Sequence, residues 1–170
     1  MNKQVSAPFD LVMFDLDGTL IETAPEICDA VNDTLKHFGL AQVVQDQVDR
    51  WIGHGTRELL VQALAQVRRL TVEEVRRCDD LPLIAAEFDR HYQRRCGTRS
   101  HLYPHVREVL QTLRGQGVRL AVVTNKEARY TRTVLAAHDL EPMFDRVVSG
   151  DTLPTKKPDP AGIHSCLVQF

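Results

Sequence analysis

The chain lacks any surplus of positive charge. Lys and Arg number 21 against 23 Asp and Glu, for a net charge of −2 at pH 7. It therefore offers no electrostatic footprint for nucleic acid or an anionic membrane. The basic pairs Arg68-Arg69, Arg76-Arg77 and Arg94-Arg95 read as solvated helix faces. Paired cysteines are missing too. Cys28, Cys78, Cys96 and Cys166 are scattered, with no Cys-x-x-Cys, which argues against a disulfide framework and for reduced thiols in the cytoplasm. No apolar run approaches the length of a membrane span. Met1-Asn2-Lys3-Gln4 leads into the first apolar run without a signal-type segment. Repeats and low-complexity stretches are absent as well. The expectation is a cytoplasmic protein that engages neither nucleic acid nor membrane, and the sequence sets no oligomeric state. The apolar fraction, 43%, is ample for a packed core. The length suits one domain, or a small core with an inserted subdomain.

Asp15-Leu16-Asp17-Gly18-Thr19 is the most informative segment present. It follows Leu11-Val12-Met13-Phe14, which reads as a buried strand of a parallel sheet. Two carboxylates thus emerge at a strand's carboxyl end, where open α/β sheets place their ligands. Residues two apart on extended chain point the same way. Such a pair can divide the work of a nucleophile and an acid/base. Gly18 permits a sharp turn, and Thr19 offers it a hydroxyl. The acids also fall at calcium-loop positions, but Leu20 stands where that loop needs glycine, and a strand precedes it.

Further along, Thr23-x-x-Glu26 reads as a capping box with Pro25 in the first turn. Ile27, Val31, Leu35 and Phe38 follow at helical spacing, and Gly39 closes the helix. A second helix runs from about Thr56, Thr71-x-x-Glu74 is another capping box, and 83–95 is helical. Residues 22–97 therefore read as helix and turn without strands. A helix from about His105 to Gln116, a strand over 118–123, a helix from Glu127 to about His138, a short strand at 146–149 and a last helix from Pro160 complete the pattern. Strand–helix alternation around a helical insertion predicts an α/β fold with a parallel sheet. The core would comprise 1–21 and 98–170, and an α-helical cap would comprise 22–97. His101 and His105 have a zinc-type spacing, but Pro104 interrupts the helix that it needs.

The Asp15 segment resembles the first motif of the haloacid dehalogenase (HAD) superfamily, whose Rossmann-like core carries a cap at this place in the chain. Thr124-Asn125, at the end of a hydrophobic strand, resembles the second motif. Lys157, in Lys-Pro-Asp-Pro, resembles the third. Gly53-His54-Gly55-Thr56, Thr124-Asn125-Lys126 and Gly150-Asp151-Thr152-Leu153 are similar to the phosphoglycolate phosphatases of that superfamily. The resemblance implies a phosphomonoesterase acting on a small phosphorylated acid. Asp15 is the implied nucleophile and Asp17 the acid/base. Thr124, Asn125 and Lys157 are implied phosphate contacts, with main-chain N–H groups at the following helix start. Gly53, His54, Gly55 and Thr56 are implied substrate contacts. Mg²⁺ is the implied cofactor, on Asp15 and the Asp17 carbonyl. The second aspartate argues against dehalogenases, but leaves sugar-phosphate phosphatases and phosphomutases open. The family's fourth motif, a Gly-Asp-Ser with a further acid, would follow the last helix, so the sequence reads as truncated. The expected consequences are weakened magnesium binding and an exposed edge on the strand at Leu11–Phe14. An inactive remnant is the opposing reading.

Overall fold

The computed structural model describes residues 8–170. The Met1–Gln4 lead-in lies outside the described residues. The chain divides into two compact units, one of residues 1–22 and 101–170, the other of residues 23–100.

The first unit is built on a parallel sheet. Strands β1 (Leu11–Phe14), β4 (Arg119–Val123) and β5 (Arg146–Val148) pair in the order β1-β4-β5. Leu120 to Val123 are buried as one apolar run, as a strand covered on both faces requires. On one face Leu11, Met13, Ala121, Val123 and Val148 pack with Cys166 of α8 (Ala161–Gln169). Gly162 lets α8 sit close, because a Cβ there would lie 2.9 Å from Val123 Cγ1. Helix α6 (Val106–Gly115) packs on β4 as well, and α7 (Ala128–Ala137) follows that strand. Among the described residues β1 is an edge strand, and its four residues are only half-buried.

Two short strands escape sequence periodicity. β2 (Ile21–Glu22) pairs antiparallel with β3 (His101–Leu102) where the chain leaves and rejoins the unit. Two residues are too few to show a period of two.

The second unit is helical: α1 (Ala24–His37), α2 (Gln45–Trp51), α3 (Thr56–Arg68), α4 (Val72–Arg76) and α5 (Leu81–Arg95). Gly39, at φ 65°, ends α1 in a Schellman turn, with Leu40 N–H donating to Leu35 O at 2.8 Å and Gly39 N–H to Lys36 O at 3.1 Å. The Thr71–Glu74 capping box forms. The expected box at Thr23–Glu26 does not. Thr23 makes no side-chain cap bond. Glu26 is fully buried and accepts from the N–H groups of Gly97, Arg99 and Ser100 instead. A buried carboxylate satisfies three orphan donors there, which outweighs a local cap. Sequence reading also misses α2, which buries only Val48 and so shows no apolar stripe. No helix among the described residues is long and apolar enough to cross a membrane.

Candidate active site

The parallel pairing of β1 with β4 brings their carboxyl ends together, with Phe14 opposite Val122. Asp15 therefore leaves β1 beside the end of β4, and Thr124 follows one residue beyond Val123. Gly18, at φ 75°, turns the chain back, and Leu20 and Ile21 N–H donate to Leu16 O. That turn fixes Asp17 after Asp15. Thr19 is exposed.

Each aspartate faces a lysine from another element. Lys157 Nζ lies 2.8 Å from Asp15 Oδ1, which also accepts the Leu16 N–H at 2.8 Å. Lys126 Nζ reaches Asp17 at 3.0 and 3.3 Å. The surroundings differ. The Asp15 and Lys157 side chains are 36% and 30% exposed, whereas those of Asp17 and Lys126 are 12% and 1% exposed. Sequence reading quoted Lys126 within its motif but gave it no role. The available signal was its place directly after Thr124-Asn125, two residues before the start of α7.

Asn125 ties the two lysines into one framework. Its Nδ2 donates to Lys157 O at 3.0 Å, and the Lys157–Pro158 peptide is cis. Thr124 is buried, and its Oγ1 accepts the Lys126 N–H at 3.1 Å. Accepting that bond leaves the hydroxyl proton for another acceptor. Gly150 N–H donates to Lys126 O at 2.8 Å, and a Cβ on Gly150 would lie 2.1 Å from Asn125 O. Only glycine permits so close an approach of two main chains. The helix start holds less for an anion than expected, because the Ala128 N–H is taken by Asp151 Oδ1 at 2.8 Å and the Lys126 N–H by Thr124.

Asp15, Asp17, Thr124, Asn125 and Lys157 thus gather at one end of the first unit's sheet. Gly53, His54, Gly55 and Thr56 belong to the second unit, on the connection from α2 to α3. Gly53 and Gly55 adopt φ 107° and 94°, His54 is exposed and Thr56 begins α3. His101 lies on β3 and His105 precedes α6 at φ 66°, on separate elements without a shared ligand cluster.

The donor set suits a hard cation. The Asp15 carboxylate and the Asp17 main-chain carbonyl are oxygen ligands of the class that magnesium takes, usually with one or two carboxylates and a phosphate.

Comparison with known proteins adds relatives to this geometry. Residues 12–170 match the family described as haloacid dehalogenase-like hydrolase. A phosphoglycolate phosphatase of Nitrosospira multiformis is 39% identical over 160 residues, covering 94% of this chain and 69% of the relative. That of Colwellia psychrerythraea is 36% identical over 163 residues, covering 95% and 70%. The crystal structure of a predicted phosphoglycolate phosphatase from Haemophilus somnus superposes with a TM-score of 0.83 at 32% identity, covering 95% of this chain and 72% of that one.

Proposed function

Because the chain belongs to the haloacid dehalogenase-like hydrolase family and is a phosphatase of it, we propose that it hydrolyses a small phosphorylated acid, 2-phosphoglycolate, to glycolate and phosphate. One observation carries the reading: two aspartates, each facing its own lysine, at the joined ends of adjacent parallel strands. The names of relatives above 35% identity favour the glycolate substrate.

The proposed chemistry follows from the side chains. The Leu16 N–H and Lys157 both engage Asp15 Oδ1, which leaves Oδ2 to attack phosphorus. The P–O bond to the ester oxygen breaks, and protonated Asp17 gives its proton to that oxygen. Asp17, now a carboxylate, takes a proton from water as the water attacks the aspartyl-phosphate. Phosphate leaves, and Asp15 is regenerated. Lys126 fixes the direction of the Asp17 carboxyl through this exchange. Lys157 and the Thr124 hydroxyl stabilise charge on the phosphoryl oxygens. Asn125 holds Lys157 in place. Magnesium on Asp15 and the Asp17 carbonyl would, when bound, neutralise part of the phosphoryl charge.

In this reading the 22–97 segment is the cap on a core of 1–21 and 98–170, and its Gly53-His54-Gly55-Thr56 loop selects the substrate. The four free cysteines suit a reducing cytoplasm.

The test is phosphate release in magnesium. Asp15→Asn is expected to abolish it, since an amide cannot form the acyl-phosphate, and retained turnover would overturn the mechanism. A substrate panel tests the second half. Hexose phosphates turned over tenfold more efficiently, about 1.4 kcal/mol in transition-state binding, would replace the glycolate assignment with a sugar-phosphate one.

A further inference from the structure

The second unit holds two helical pairs that face each other. Asp33 and His37 lie one turn apart on α1, and Glu87 and His91 one turn apart on α5. Residues four apart share a helix face, and the two helices pack against each other. His91 Nε2 lies 3.0 Å from Glu87 Oε1, and His37 Nδ1 lies 3.8 Å from the same oxygen. One donor atom from each of His37, Glu87 and His91 falls within 4.8 Å of the other two.

Hydrogen bonding does not explain this convergence. His91 Nε2 is buried and makes no hydrogen bond, despite its short distance to the carboxylate. Glu87 Oε2 is engaged by Arg90, which leaves Oε1 facing both imidazoles. The Asp33 carboxylate stands 3.9 Å from His91 Nδ1. A cation bound to both would satisfy the buried ring nitrogen Nε2 and the carboxylate oxygen of Glu87 beside it. Around tetrahedral zinc, bonds of about 2.0–2.2 Å put ligand atoms about 3.3 Å apart. The 3.0 and 3.8 Å separations bracket that value.

We propose that His37, Glu87 and His91 form a zinc site that joins α1 to α5, separate from the aspartate site and independent of the function assigned above. The ligands are two imidazoles and one carboxylate oxygen. The half-exposed His37 leaves an open side for entry and for a water as fourth ligand. Nitrogen and carboxylate donors on a tetrahedral pattern favour zinc over magnesium. Asp33 lies near the other ring nitrogen of His91, on the side where zinc histidines have their carboxylate partners. Arg95 in turn anchors Asp33, at 2.7 Å.

The test uses the whole chain stripped with a chelator and titrated with zinc chloride alone. Calorimetry is expected to give one zinc per chain with Kd below about 10 µM. At a hundredfold excess over Kd the melting temperature should rise, since binding to the folded state alone stabilises it. His37→Ala, at an exposed position, should keep the metal-free melting temperature within about a degree or two but lose at least tenfold in zinc affinity and most of the zinc-dependent rise. His91→Gln should do the same, while His164→Ala should bind like the parent. Absence of zinc binding, or equal binding and equal thermal shifts in the parent and His37→Ala, would overturn the proposal.

Discussion

Asp15 and Asp17 are two residues apart, yet their replacement should have different consequences. The Asp17–Lys126 pair is almost wholly withdrawn from water. Removing one charge of such a pair leaves the other buried near a neutral group, at a cost of about 3 kcal/mol. The Asp15–Lys157 pair is about a third exposed, and pairs of that kind contribute roughly 0–1 kcal/mol. Asp15→Asn and Asp17→Asn should both lose phosphatase activity, but only Asp17→Asn should show a markedly lower urea midpoint. Equal midpoints would show that the Lys126 pair is not a stabilising contact. Gly150 makes a second residue-scale case. Gly150→Ala must push the Asn125 main chain away, an overpacking that costs about 1–3 kcal/mol. It should also lower kcat, because Asn125 carries the Lys157 loop and Lys126 follows it. Gly115→Ala, with nothing within 4 Å of the new methyl group, is the control and should be tolerated.

The start of α1 shows how an element can be anchored from outside itself. Thr23-x-x-Glu26 has the pattern of a capping box, but Glu26 turns inward to the main chain at Gly97, Arg99 and Ser100. A box contributes about 1 kcal/mol. Losing a buried carboxylate that accepts three main-chain N–H groups costs more, about 2–3 kcal/mol. Glu26→Ala should therefore lower the melting temperature well beyond Thr71→Ala, which removes a true box on α4. Similar losses in the two variants would mean that Glu26 acts only locally. At the other end of α1, the Schellman turn at Gly39 was readable from sequence, because all its partners lie within five residues. The same holds for the end of β1, where a single glycine announces the turn that sets Asp17.

At the scale of the whole molecule, acid sensitivity has one identifiable source in the sheet. Burial alone would raise the Asp145 pKa, but the Leu120 N–H and the Arg119 and Arg114 guanidiniums outweigh it and hold it below the ordinary carboxylate value. A depressed pKa means that the folded state binds fewer protons than the unfolded chain near pH 4. Its stability contribution is then complete above the unfolded value of about 3.9 and fades as pH falls through the folded one. The melting-temperature gap between the parent and Asp145→Asn should be constant from pH 7 to about pH 5 and shrink below about pH 4. A gap that widened toward acid would reverse the sign of this linkage.

The sequence by itself determined what local chemistry can encode: an apolar strand delivering two acids, a hydroxyl and amide after a second strand, a lysine before proline, and helices bounded by their own caps. These signals span a few residues, so backbone geometry and side-chain period suffice to read them. Only the tertiary structure decided which charges meet. Lys126 reaches Asp17 across 109 residues of chain, and no periodicity or cap predicts a contact of that length. The same holds for Glu26 on the segment about 70 residues away, for the β2–β3 pairing and for the facing histidines of α1 and α5. Such pairs form because packing buries polar groups that must then find partners, and that choice is made by the whole fold rather than by the neighbours in sequence.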